Sequence, residues 1–210
     1  MIFFAMSCAT TIYTNLDTVM LGFMKDNVEV GYYNAAIKIK NVLLGVVTSL
    51  GTVLLPRASY YVENNMYSEF KRIAGKALNF VVLISFPLCL YFILFAKEGV
   101  LFLSGDAYTE AILPMQILMP TLIFIGLTNI MGIQMLIPLG REKVVLYSEI
   151  AGAIVDLAIN IILIPIMSSS GAAIGTLVAE GVVWMVQYQA LKELVKESYL
   201  KIKYLSLIHI

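Results

Sequence analysis

Four polar side chains lie where polar side chains are expensive. Asp17, Asp156, Asn160 and Glu180 each sit inside a long apolar stretch of the chain. A charge at the centre of a bilayer costs roughly 3 kcal/mol on insertion scales, so each needs a partner, a wet cavity or an escape route to the interface. Thr10, Thr14 and Asp17 recur at three- and four-residue steps and share a helical face, as do Glu149, Gly152, Asp156 and Asn160. Thr176 and Glu180 repeat the four-residue step. Two readings of Asp17 stand side by side: it binds a cation or proton, or it pairs with a lysine of the next segment. Glu149 lies near a segment end and reads as solvated, which leaves Asp156 with Asn160 as the more informative pair.

The next segment carries two lysines. Asn34, Lys38, Asn41, Gly45, Thr48 and Thr52 form one polar stripe at helical spacing, the pattern of a water-filled cavity wall. Lys38 lies on this stripe, and Lys40 is rotated away by roughly 200° at about 100° per residue. Snorkelling to the headgroups is the competing explanation for both. Lys38 is therefore the expected cavity lysine, with Lys40, Asn34 and Asn41 beside it.

These residues must be held by membrane helices. The chain has 210 residues, 60% hydrophobic and 13% charged, about half the charge of an ordinary soluble domain. Crossing the hydrocarbon takes about 20 apolar residues, and six segments qualify: about 2–23, 33–55, 76–95, 111–136, 144–166 and 171–191. The expected fold is all-α and polytopic. Loops on one side, with the C-terminal tail, hold ten Lys and Arg residues, and loops on the other hold two. Positive loops stay cytoplasmic, so both termini are expected in the cytoplasm. A basic tail follows at 192–204, and LSLIHI at 205–210 reads either as native tail or as foreign sequence. The stretch between the second and third segments reads as a basic loop or as a short amphipathic surface helix.

Several function classes drop out. Equal numbers of basic and acidic residues, 14 each, give no electrostatic footprint for nucleic acid. Two separated cysteines and a single histidine, His209, argue against a zinc or redox centre, and no cofactor is expected. No histidine falls within the six segments, which argues against a membrane enzyme. Gly171 and Gly175 form a small-residue surface for close helix approach, and the prolines at 87, 114, 120, 138 and 165 mark kinks or helix ends.

Five stretches occur in a familiar order: YTNLDTVMLG (13–22), GYYNAAIKIKN (31–41), VLLPRASYY (53–61), IQMLIPLGREK (133–143) and GAAIGTLVAE (171–180). Together they resemble the C-terminal half of bacterial polysaccharide repeat-unit flippases, the Wzx type of the multidrug, oligosaccharidyl-lipid and polysaccharide exporter superfamily. The resemblance implies one six-helix lobe of a two-lobe carrier in the bacterial cytoplasmic membrane. Such a carrier moves undecaprenyl-pyrophosphate-linked oligosaccharide by alternating access. It also implies that Lys38 and Lys40 hold the pyrophosphate, that Asp17 is open to a proton- or sodium-coupling role, and that an N-terminal six-helix lobe is the missing partner. On this reading the chain is a fragment, or another chain supplies the first lobe. The competing functions are a cation-coupled multidrug antiporter of the same superfamily, in which Asp17 and Asp156 matter more than Lys38, a membrane enzyme subunit, or a membrane scaffold.

Overall fold

The computed structural model describes the backbone of residues 2–208 and, apart from positions 12, 13 and 52, the side chains of 11–192. Every regular element among the described residues is helical. Helix α1 (Ile2–Met24) leads into α2 (Asn27–Glu63) through a two-residue turn. Asp26 sets the start of α2: its carboxylate accepts the backbone N–H groups of Val28 and Glu29 at 2.9 and 3.0 Å, satisfying donors that a helix leaves open at its start.

Helix α2 continues through Pro56 to Glu63, and α3 (Tyr67–Leu94) begins after only three residues. The expected loop or surface helix between the second and third segments is therefore absent, because its residues extend the two helices themselves. The sharp reversal is made at Asn65, which adopts φ 58°, a conformation that asparagine tolerates better than most side chains. Beyond α3 come α4 (Ala96–Ser104) and a 3-10 turn at Asp106–Ala111.

The stretch expected as one helix over 111–136 is instead divided. It comprises α5 (Ile112–Leu118), α6 (Thr121–Thr128) and a π-helical segment, Asn129–Leu136, with a 49° bend between the α5 side and the α6 side. Pro120 stands at the bend, where it lacks an N–H and its ring excludes the regular helical carbonyl position. Gln116 fixes the first arm by donating from Nε2 to the carbonyl oxygen of Ile93 at 3.0 Å.

Helix α7 (Glu142–Ile208) is interrupted at Ser168, with φ 51° and ψ −129°. Its arms fold back on each other as a hairpin, and small residues permit the approach. A Cβ on Gly171 would stand 2.5 Å from the carbonyl oxygen of Leu163, and one on Gly152 would stand 2.6 Å from Val183 Cγ2. The α1–α2 turn clasps this reversal: Lys25 Nζ donates to the carbonyl oxygen of Pro165 at 2.9 Å, and Ser169 N–H donates to Glu29 Oε2 at 3.0 Å.

Three described helical stretches, Asn27–Glu63, Tyr67–Leu94 and Glu142–Lys192, are long and apolar enough to cross a membrane, and the bent pair Asp106–Leu118 and Thr121–Leu136 makes a fourth if taken as one span. Much of their apolar surface faces outward: Leu83, Leu94, Ile154, Ile162 and Ile166 are all exposed. Lipid, not water, satisfies such a surface.

Candidate functional site

Tyr33 and Lys40 are seven positions apart on α2, two helical turns, and share its buried face with Ala36 and Leu43. That face meets Asp17 of α1 and the hairpin of α7, and the contact is polar. Asp17 accepts from three donors. Asn160 Nδ2 reaches its Oδ1 at 2.6 Å, Thr176 Oγ1 reaches its Oδ2 at 2.7 Å, and the Tyr33 hydroxyl donates to Oδ2 as well. Tyr33 and Thr176 also lie 2.8 Å apart, oxygen to oxygen.

Asn160 ties a second carboxylate into the cluster, since its Nδ2 also donates to Asp156 Oδ2 at 3.1 Å. Asp156 and Asn160 are wholly inaccessible, and Asp17 is 4% exposed. Two oxygens are left over: Asp156 Oδ1 and Asn160 Oδ1 are buried without a hydrogen-bond partner. Both face Gly175, where a Cβ would collide with Asn160 Oδ1 and stand 2.9 Å from Asp156 Oδ1. Gly175 thus makes room for these oxygens as well as for a helix contact. Two buried carboxylates bridged by one amide repel each other when both are ionised, so a proton on one of them or a cation between them lowers the cost. The donor set is carboxylate, amide and hydroxyl oxygen, suited to a proton or a hard cation. Among the described residues no group of three or more His, Cys, Asp or Glu side chains could hold a metal ion.

Lys40 lies next to this cluster, 7% exposed. It lines a cavity of about 110 Å³ together with Asp17, Thr176 and Glu180. A larger cavity of about 250 Å³ adjoins; Thr14, Lys40, Asn41 and Glu180 line both. Lys40 therefore links the carboxylate cluster to a larger, partly open volume with mixed polar and apolar walls.

Asp17, Asp156 and Asn160 thus come together, Glu180 borders the cavities beside them, and Asn41 stands at the cavity wall. Asn34 is half-buried and accepts from Thr18 Oγ1 at 3.5 Å. Within this chain Lys40 lines both cavities, and Lys38 lines neither and is exposed. Of the stripe read from Lys38, Asn41 and Gly45, Lys38 points out of the chain's own helix bundle while Asn41 stands at the edge of both cavities, so the interior cation lies on the face opposite Lys38. Thr52 has its side chain outside the described residues, as do Thr10, the basic tail beyond Lys192 and His209. Tyr33 was missed because a tyrosine near a helix end reads as an interfacial or packing residue; its seven-residue offset from Lys40 is the signal that places it.

An all-helical chain with lipid-facing apolar surface and charge folded into its interior is an integral membrane protein. Comparison with known proteins shows what it is similar to. Residues 1–62 match a family described as "Polysaccharide biosynthesis protein". Two relatives carry the name "Putative O-antigen transporter": one from Escherichia coli (strain K12), 28% identical over 84% of this chain and 42% of its own length, and one from Shigella dysenteriae, 30% identical over 90% of this chain and 47% of its own. A third, "Uncharacterized membrane protein MJ1068" from Methanocaldococcus jannaschii, is 27% identical over 92% of this chain and 38% of its own. No solved structure matches the chain. The chain is thus similar to proteins named as O-antigen transporters and, over residues 1–62, to a polysaccharide biosynthesis family, in line with the resemblance its motifs carry. It spans less than half the length of the curated relatives it matches.

Proposed function

We propose that this chain forms one lobe of a carrier that translocates undecaprenyl-pyrophosphate-linked oligosaccharide units across the bacterial cytoplasmic membrane. The observation that carries the reading is the placement of Lys40, buried in the membrane part of the fold and opening onto both cavities. An ammonium group held there is a compact charge for a pyrophosphate. Lys38, exposed on the other side of α2, presents a second cation to whatever covers that face.

In this reading the hairpin arms of α7 count as separate spans, giving six in all, with both termini cytoplasmic in keeping with the loop charges. A first lobe covers the exposed polar face of α1 and α2, which bears Asn15, Lys38 and Asn41. The Asp17, Asp156, Asn160 and Thr176 oxygens take the coupling proton or sodium ion. Relatives named as transporters favour a non-enzymatic role.

The cluster also favours a second reading, a cation-coupled multidrug antiporter, in which Asp17 and Asp156 matter and Lys40 does not. Complementation of an export-deficient strain separates the two. Lys40→Gln in the complete transporter is expected to cut glycan export at least tenfold at unchanged membrane abundance. Normal glycan export by that variant would remove the pyrophosphate-anchor reading.

A further inference from the structure

Helix α4 is too short to cross a membrane, and its exposed end is too apolar to stand in water. Its nine residues, Ala96–Ser104, reach about 13 Å, against roughly 30 Å of hydrocarbon. Ala96 and Val100, one turn apart, are wholly inaccessible and hold the helix on the bundle. Phe102 and Leu103, at the other end, are 88% and 59% exposed. Phe95, which caps α4, and Phe102 are seven positions apart, two helical turns, so they stand on one side of the helix. The Phe95 ring in turn packs on Tyr91 of α3, with centroids 4.8 Å apart. An apolar surface therefore runs from the end of α3 to the tip of α4.

Two sets of neighbours fix the level of this surface. Lys97 and Glu98 at the start of α4, and Asp106 just past its end, are exposed, and such charges are expensive in hydrocarbon. Both ends of α4 thus stand at a polar boundary, which lays the helix along the membrane face rather than across it. Tyr108, in the 3-10 turn that follows, meets Tyr32 edge-on with ring centroids 6.1 Å apart. Tyr32 lies in the second turn of α2, close to Asp26, whose carboxylate caps that helix. The segment is therefore level with the start of one span and the end of another. Water does not suit exposed apolar rings, and hydrocarbon does not suit the charges beside them. The zone between headgroups and acyl chains accommodates both.

We propose that α4 is an interfacial anchor, with Phe102 and Leu103 inserted into the headgroup–acyl boundary of the leaflet where α3 ends. Lipid is the occupant because this surface continues the outward apolar side of α3, which bears Leu83, Leu90 and Leu94. The polar face left open on α1 and α2 is the one that suits a second protein surface. The anchor also bears on the bent span. A Cβ on Gly99 would stand 3.4 Å from Met115 Cε of α5, and Gln116 of α5 is tied to the carbonyl oxygen of Ile93. The depth of α4 in the lipid therefore sets the level of the arm that leads to the Pro120 bend. None of this depends on what a carrier would move.

Tryptophan placed at the tip reads its depth. The single native tryptophan is first replaced, Trp184→Phe, which keeps a ring between Phe124 and Tyr188. Full chains with Phe102→Trp, Leu103→Trp or, as a mid-span reference, Leu83→Trp in that background are reconstituted in phospholipid vesicles. Lipid brominated next to the headgroup, lipid brominated near the acyl terminus, and acrylamide in the water serve as quenchers. At both tip positions the shallow bromine is expected to quench about twofold more than the deep one, as for a helix lying roughly 5–10 Å into the boundary. Leu83→Trp is expected to show the reverse order. Quenching of the tip by acrylamide alone puts it in water, and a profile like that of Leu83→Trp puts it in the hydrocarbon; either result overturns the anchor. Protection from all three quenchers would mean cover by protein and overturns it as well. The shallow profile is expected to persist in the complete transporter, and its loss there would assign this surface to another lobe. Either tip variant suffices if the other fails to insert.

Discussion

Glu29 Oε2 accepts the backbone N–H of Ser169 at 3.0 Å, joining the first turn of α2 to the point where α7 resumes after its break. An N–H at such a position has no partner within its own helix, so a carboxylate from another element serves as its cap. Glu29→Ala is expected to cost about 1 kcal/mol, the usual worth of a cap. A thermal melt followed by Trp184 fluorescence in detergent checks this, and an unchanged midpoint would show that the contact carries no stability.

Ser168 holds a conformation that a β-carbon disfavours, φ 51° with ψ −129°. Such a position costs of order 1 kcal/mol or more for a residue other than glycine. Ser168→Gly is therefore expected to raise stability by about 0.5–1 kcal/mol, and Ser168→Val to lower it. The same melt, run on both variants, must give shifts of opposite sign.

Gly175 is the gate to the two unpartnered oxygens. Sodium binding at the carboxylate cluster would raise the melting temperature of the wild-type chain, because a ligand that binds only the folded state stabilises it. Gly175→Ala places a methyl group against Asn160 Oδ1 and Asp156 Oδ1 and should abolish that shift. Potassium at equal ionic strength is the control. A sodium shift that survives Gly175→Ala puts the ion elsewhere.

The two lysines make separable contributions. Lys40→Gln removes the cation shared by both cavities and should weaken pyrophosphate binding by the chain at least tenfold; Lys38→Gln should change it less than threefold. The threshold reflects a charge-assisted contact worth roughly 1.5–3 kcal/mol. Isothermal titration with pyrophosphate ranks the two, and a larger loss at Lys38 would reverse the assignment.

The helical architecture was legible because apolar runs long enough for a bilayer admit few other structures. Asp17, Asp156 and Asn160 were legible for the same reason, since a carboxylate or amide inside such a run stands out and needs a partner. The two lysines show where periodicity stops. It groups residues by helix face but does not say whether a polar face looks into its own bundle or away from it. In water, polarity marks the outside; within a membrane that rule fails, and both faces of α2 carry polar groups. The bend at Pro120 was visible as a proline, but not as a break, because membrane helices often absorb prolines without one.

The outward face of α1 and α2 has a cellular meaning as well as a chemical one. Threonine and serine hydroxyls there are hidden by bonds to preceding carbonyls, as Ser49 Oγ is by Val46 O at 2.8 Å, but Lys38 and Asn41 remain exposed. Bare lipid rejects such a face, whereas a matching surface hides it. In the proposed carrier a first lobe supplies that surface, so separating the two lobes should shorten the lifetime of each in the membrane.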